Sequence, residues 1–107
     1  MSNVPDITDA TFDATVLGSE GPVLVDIWAT WCAPCRRTTP IIEELAAEHG
    51  EKIQFVKVDA DANTETVTRY GVTSIPTFNL FVGGELVKSL TGARTKTQFL
   101  EELAEYL

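Results

Sequence analysis

The two cysteines of this chain lie three residues apart, in the segment WCAPC that begins at Trp31. In a helix, residues i and i+3 have Cα atoms about 5 Å apart, within the roughly 4.4–6.8 Å that a disulfide tolerates. Cys32 and Cys35 could therefore be joined and separated with little movement of the backbone. The spacing predicts a redox-active dithiol, whose sulfur–sulfur bond forms and breaks reversibly.

The residues around the pair favour the same chemistry. Pro34 suits the first turn of a helix, where a missing amide costs no hydrogen bond, and it stiffens the spacer that it forms with Ala33. Cys32 precedes the unpaired amides at the positive end of the helix dipole, which favours a thiolate. We expect Cys32 to be the attacking sulfur and Cys35, one turn deeper, to be the resolving sulfur.

Other uses of a cysteine pair fit the sequence less well. Buried structural cysteines would not need this spacing between a strand and a helix. A zinc site requires about four ligands, and beyond the two thiols the chain offers one histidine, His49. Attachment of a c-type haem requires a histidine after the second cysteine, where this chain has Arg36. We expect no metal.

Strand-like apolar runs alternate with helix-like periodic runs along the chain. The run 22–29 is apolar on both faces, which is typical of a central parallel strand, and the cysteines follow it at the start of a helix. Further strands are predicted at 53–58 and in a hairpin over 77–90, and Asn63 is expected to cap a short helix. Right-handed crossovers then give a single α/β domain over residues 1–107, a mixed sheet between helix layers.

The composition indicates which partners and which cellular compartment to expect. Eight basic and sixteen acidic side chains give a net charge of −8, which repels phosphate backbones and anionic lipids. We therefore expect neither a nucleic acid nor a membrane as partner. The segment MSNVPDITDA lacks the features of a signal peptide, and no apolar run reaches the roughly 20 residues that span a bilayer. A cytoplasmic location is expected.

WCAPC, with Asp26 before it, Lys57 on the next strand, SIPT before a strand, and Gly92 followed by Ala93, resembles the thioredoxin family over essentially the whole chain. The resemblance implies the thioredoxin fold, a central mixed five-stranded sheet in the order 1-3-2-4-5 flanked by four helices. It implies a monomer that reduces protein disulfides and is recharged by a thioredoxin reductase. Nicotinamide and flavin would belong to that reductase, and this chain would bind no cofactor.

A carboxylate interrupts the apolar run 22–29. Period-two alternation puts Asp26 on one strand face with Leu24 and Trp28, so the side chain is either buried or at a solvent-facing edge. The resemblance favours a buried carboxyl that takes the proton from Cys35 during resolution. Lys57 would reach Asp26 and tune it.

The resemblance also implies a groove for the target polypeptide. An X-Pro bond is cis only about 5–6% of the time, but the family carries a cis proline at the position of Pro76. The backbone of Ile75 would then pair with an extended substrate, and Trp31 would lie beside the sulfur. The residues expected to contact the target are Trp31, Ala33, Pro34, Ile75, Pro76, Gly92 and Ala93.

Two features leave alternatives open. Ala33 replaces the glycine of the commonest thioredoxin spacer, and the sequence does not predict whether this change raises or lowers the redox potential. Arg36 and Arg37 are either simply solvated or favour the thiolate and steer acidic partner surfaces.

The alternative function is a thioredoxin-fold binding module or subunit whose dithiol is not used.

Overall fold

The computed structural model describes residues 2–107, and within this range it contains four strands and four α-helices. The strands are β1 (Pro22–Trp28), β2 (Gln54–Asp59), β3 (Thr77–Val82) and β4 (Glu85–Thr91). The helices are α1 (Asp9–Phe12), which continues as a π-helical turn over Asp13–Leu17, α2 (Ala33–His49), α3 (Thr64–Arg69) and α4 (Lys96–Leu103), which ends in a 3-10 turn over Ala104–Tyr106. The expected alternation of strands and helices is confirmed.

The sheet is mixed, with its strands in the order β2-β1-β3-β4. β1 runs parallel to β2 and antiparallel to β3, and β3 pairs antiparallel with β4 through the predicted hairpin. β1 is therefore central, and its carboxyl end leads directly to the cysteine pair. This is the edge at which open α/β sheets place their chemistry.

The expected fifth strand is reduced to an isolated bridge. The N-terminal segment does lie beside β2, where Asp6 pairs with Lys57 in parallel. The Ile7 amide donates to the Lys57 carbonyl at 2.9 Å, and the Lys57 amide donates to the Pro5 carbonyl at 3.0 Å. The next bond toward the N-terminus would need an amide hydrogen on residue 5, which proline lacks. Within residues 2–107 the sheet therefore has four strands and not the expected five, although the N-terminal segment lies where the first strand was expected.

Helices cover both faces of the sheet and divide the core in two. On one face, α2 and α4 pack with Leu24, Phe78 and Leu80 from the strands. On the other face, α1 and α3 pack against the opposite side chains of the strands, such as Val25 and Phe81. Because β1 is buried on both faces, any polar side chain on it lies in the core.

α1 and α3 exchange hydrogen bonds at their N-termini. The Asp9 carboxylate accepts from the amides of Glu65 at 3.2 Å and Thr66 at 2.9 Å, and from the Thr66 hydroxyl at 2.6 Å. The Asn63 side-chain oxygen in turn accepts from the Asp9 amide at 2.8 Å. Asn63 is the N-cap residue of α3, as expected, but its side chain makes no capping hydrogen bond, because Asp9 provides the acceptor from the N-terminal part of the chain.

Replacing Asp9 with Ala should lower the urea midpoint of unfolding at pH 7, because α3 loses its acceptor. The hydrogen bonds, chiefly that from the Thr66 hydroxyl, lower the pKa of Asp9 below 3.8. Since the folded-state pKa is lowered, this stabilisation is present above pH 3.8 and is lost as the pH falls through the folded value. The difference between wild type and Asp9→Ala should therefore close in acid.

Asp13→Ala is the matched control, because Asp13 forms only an exposed pair with Arg69, at 2.7 Å. Urea titrations of the three proteins across pH values measure both effects. A midpoint in Asp9→Ala equal to that of Asp13→Ala at pH 7 would contradict the capping role.

Candidate active site

The cysteine pair lies where the chain leaves β1 and begins α2. Cys32 is the N-cap of α2, and its sulfur accepts a hydrogen bond from the Cys35 amide at 3.2 Å. The two Cα atoms are 5.3 Å apart, and the sulfurs form a disulfide. Pro34 lies in the first helical turn, where it leaves no intrahelical hydrogen bond unmade. The predicted strand, dithiol and helix are therefore arranged as the sequence indicates.

The disulfide is packed rather than open. Cys32 is 2% exposed and Cys35 is 4% exposed, and they form a small cluster with Ala29, against which Trp28 and Ile75 pack. In this disulfide form neither cysteine side chain is open to solvent.

The two tryptophans have different surroundings. Trp31 is 64% exposed, and its indole nitrogen donates to the Asp61 carboxylate at 2.9 Å. Trp28 is half-buried beside the cysteines, and its ring lies 5.8 Å from the Lys57 ammonium. Trp28 is thus the tryptophan that packs against the disulfide, and sequence alternation alone could not separate the two roles.

Asp26 is buried in the core and lies beside Lys57. The two residues are directly paired in the register of β1 and β2, so their side chains share one face of the sheet. Burial raises the pKa of Asp26 to about 7; Lys57 lowers it by a smaller amount, and Asp6 adds a smaller rise. Its Oδ1 atom has no hydrogen-bond partner within residues 2–107. A carboxyl in this state exchanges its proton near neutral pH.

A cavity of about 170 Å³ opens onto this carboxyl. Asp26, Trp28 and Lys57 line it together with Glu43. One water molecule needs only about 10–15 Å³, so the cavity is large enough for water to reach Asp26. Thr39 also lines the cavity and donates its hydroxyl to the Cys35 carbonyl at 2.9 Å. Within residues 2–107 no direct hydrogen bond joins Asp26 to either cysteine, but Thr39 links the cavity to the Cys35 backbone.

Sequence reasoning missed the role of Glu43. Its carboxylate accepts hydrogen bonds from the Asn3 amide, at 2.9 Å, and from the Ser2 hydroxyl. These bonds hold the N-terminal segment against α2 at the border of the cavity. Forty residues separate Asn3 from Glu43, and no local pattern in the sequence signals a contact over that distance.

Pro76 follows a cis peptide bond, as the family resemblance implied. Ile75, which precedes it, packs against the disulfide. The Pro76 carbonyl accepts from the Gly92 amide at 2.9 Å, which brings the turn containing Gly92 and Ala93 to the same edge. Gly92 has a φ of 95°, a conformation that side chains disfavour, so glycine is required there by the backbone. The fold thus brings three distant segments to one edge of the sheet.

Two further observations concern the whole described range. Residues 2–107 contain no group of three or more His, Cys, Asp and Glu side chains arranged to hold a metal ion. None of the helices in the same range is long and apolar enough to cross a membrane.

Comparison with known proteins agrees with this geometry. The thioredoxin family model matches residues 3–105. The chain is 52% identical over 94 residues to a thioredoxin of Streptomyces clavuligerus, covering 88% of this chain and 87% of the relative. It is 44% identical over 107 residues to a thioredoxin of Synechocystis, covering 100% of both chains.

A third relative is longer. The chain is 46% identical over 100 residues to a bifunctional thioredoxin reductase/thioredoxin of Mycobacterium leprae, which covers 94% of this chain and 22% of that protein. The match over nearly the whole chain, the full-length relatives and the Cys32–Cys35 disulfide at the start of α2 lead to one conclusion: this chain belongs to the thioredoxin family and is a protein thiol–disulfide oxidoreductase.

Proposed function

We propose that the protein is a general reductant of protein disulfides, with Cys32 as the nucleophile and Cys35 as the resolving thiol. The observation that carries this proposal is the Cys32–Cys35 disulfide closed across the first turn of α2, beside cis Pro76. Two cysteines whose Cα atoms lie 5.3 Å apart convert readily between the dithiol and the disulfide. The same pair can therefore accept and return two electrons.

The proposed reaction has two exchange steps. The Cys32 thiolate attacks one sulfur of the target disulfide, forms a mixed disulfide and releases the first target thiolate. Cys35 then loses its proton and attacks the Cys32 sulfur, which releases the second target thiol. The target gains two electrons and is reduced, and the protein is left with the Cys32–Cys35 disulfide.

Asp26 is proposed as the base for the second step. Cys35 attacks only as a thiolate, so its proton needs an acceptor in a buried site. The pKa of Asp26, raised to about 7, allows the carboxyl to take up and release a proton near neutral pH. The cavity between Asp26 and the Thr39 side chain offers a route for water to relay that proton. Lys57 would set how readily Asp26 ionises, since it lowers the pKa that burial raises.

The target is proposed to bind as an extended chain against the edge that carries the disulfide. The backbone of Ile75 would pair with it, and Gly92 and Ala93 would form the opposite wall. Exposed Trp31 and the spacer residues Ala33 and Pro34 would complete the contact surface. The position of these residues around the cysteine pair supports the proposed groove.

A thioredoxin reductase is the proposed electron donor. The printed name of the Mycobacterium leprae relative joins the two activities in one chain, which supports a functional partnership of this kind. Nicotinamide and flavin would remain on the reductase, with no cofactor bound here. We propose that the protein works as a monomer in the cytoplasm, where protein thiols are kept reduced and disulfide reduction is useful.

Replacing Cys32 with Ser should abolish reduction of insulin disulfides, because the mixed disulfide cannot form without this sulfur. Turnover is measured with dithiothreitol as donor and then with a thioredoxin reductase and its nicotinamide cofactor. Wild-type protein should work with both donors. Activity in the Cys32→Ser variant equal to that of wild type would contradict the proposal, and an inactive wild type would favour a binding module with an unused dithiol.

Replacing Asp26 with Asn should slow the second exchange step about a hundredfold at pH 7, the lower end of the range for general base catalysis. Rapid-mixing measurements of mixed-disulfide decay give this rate. In wild type the rate should rise through about pH 7 as Asp26 ionises, and this rise should be absent in the variant. An unchanged pH profile would contradict the role of Asp26.

The same substitution should stabilise the folded protein at high pH. The pKa of Asp26 is raised from 3.8 to about 7, so the folded state holds a proton that the unfolded state releases, and stability falls as the pH rises through this window. At about 1.4 kcal/mol per pKa unit, the buried charge costs up to about 4 kcal/mol above pH 7. Urea unfolding at pH 8 should show Asp26→Asn to be the more stable protein, whereas a less stable variant would contradict burial of the charge.

A further inference from the structure

A groove of about 320 Å³ extends the active edge of the protein between α2 and the turn that precedes α4. Arg37, Thr38 and Ile41 line it from α2, and Ala93 and Arg94 line it from the turn. Its lining is mostly apolar, and Arg37 and Arg94 line it from opposite sides. The sequence analysis had considered Arg37 only as a solvated or steering charge.

The groove is continuous with the site of disulfide exchange. Thr38, on one wall, donates its hydroxyl to the Cys35 carbonyl at 3.1 Å. Ala93, on the other wall, directly follows Gly92, whose amide donates to the Pro76 carbonyl at 2.9 Å. A polypeptide lying across the disulfide would therefore pass the mouth of this groove.

The two arginines differ from half of the basic residues of this acidic chain in having no ion pair within residues 2–107. Within residues 2–107, four of the eight basic side chains form ion pairs, namely Lys57, Arg69, Lys88 and Lys96. Over the same residues neither Arg37 nor Arg94 has a carboxylate within 4.0 Å. The chain has sixteen acidic side chains, so two uncompensated guanidinium groups that share a groove form a local positive site.

Arg94 is held in position by the backbone of its own turn. Its Nη1 atom donates to the Thr91 carbonyl at 3.0 Å and to the Gly92 carbonyl at 3.3 Å. A guanidinium has donors on three nitrogens, so these bonds orient the group and leave its other nitrogens for a ligand. A pre-oriented guanidinium loses little freedom when it binds a carboxylate.

We propose that this groove binds a glutamate or aspartate side chain of the target polypeptide, close to the disulfide that is reduced. The carboxylate would accept hydrogen bonds from Arg37 and Arg94, and the methylene groups would lie against Ile41 and Ala93. Charge complementarity selects this occupant, since the groove presents two positive groups in a protein of net charge −8. The inference rests on the proposed function, because it needs a target bound across the active edge.

The position of Arg37 limits where the acidic residue can lie. Arg37 follows Cys32 by five residues of helix, a rise of about 7.5 Å. An extended polypeptide advances about 3.3 Å per residue. The acidic side chain should therefore lie about two to four residues from the target cysteine.

The test uses fully reduced protein and short peptides that contain one disulfide. The peptides come in pairs, with Glu or Gln at one position two to four residues from the cysteine on either side. Second-order rate constants for disulfide reduction are measured at low salt without a reductase, so that recharging does not contribute. For the best-placed pair, wild type should reduce the Glu peptide about three to five times faster than the Gln peptide, the effect of a partly exposed ion pair.

In an Arg37→Gln, Arg94→Gln double variant this ratio should fall to about one, and each single variant should lose part of it. Because both peptides of a pair react with the same protein, a general change in the reactivity of a variant does not affect the ratio. Arg36→Gln is the matched control, because it removes the same charge one residue away while its side chain lies outside the groove and donates to the Thr30 carbonyl at 3.1 Å. This control should keep the wild-type ratio.

Two results would overturn the site while leaving the proposed function intact. One is a ratio of one for every peptide pair in wild type. The other is an equal loss in Arg36→Gln, which would mean long-range attraction by net charge. If wild-type protein reduced none of the peptides, the proposed function itself would fail, and the acidic-residue site with it.

Discussion

The burial of β1 on both faces is the constraint on which the rest of the structure depends. A strand in this position can end only at an edge of the sheet, and here that edge is where α2 begins with Cys32 as its N-cap. The same burial places the one charged residue of the strand, Asp26, in a mostly apolar core. One constraint thus fixes the dithiol at the edge of the sheet and places an ionisable group with a raised pKa behind it.

This arrangement lowers the stability of the fold at the site of the proposed chemistry. A carboxyl in an apolar core disfavours the folded state once it ionises, and an amide of the same shape would avoid that cost. The cavity lined by Asp26, Lys57 and Glu43 also represents unfilled space next to the core. Both features weaken packing at the place where the proposed reaction needs a proton acceptor, and the remainder of the two core clusters must offset them.

Local patterns in the sequence were sufficient to predict much of this molecule. The CxxC spacing, the apolar run with one aspartate and the Gly-Gly hairpin each specify their structure within a few residues. The cis peptide at Pro76 was predictable only through resemblance, because X-Pro bonds are mostly trans. The missing strand could have been inferred from Pro5, whose lack of an amide hydrogen limits pairing. Relations between distant segments, such as the hydrogen bond of Asn3 with Glu43 and the groove shared by Arg37 and Arg94, leave no signal in a single sequence.

The exchange of hydrogen bonds between Asp9 and the start of α3 also bears on the order of folding. α3 has only six residues, too few for a helix to persist alone in water. Its acceptor lies 57 residues earlier in the chain, so the ends of a long loop must meet before the helix is completed. We therefore expect α3 to be completed late in folding, and in the folded protein we expect it to open together with α1 as one cooperative unit.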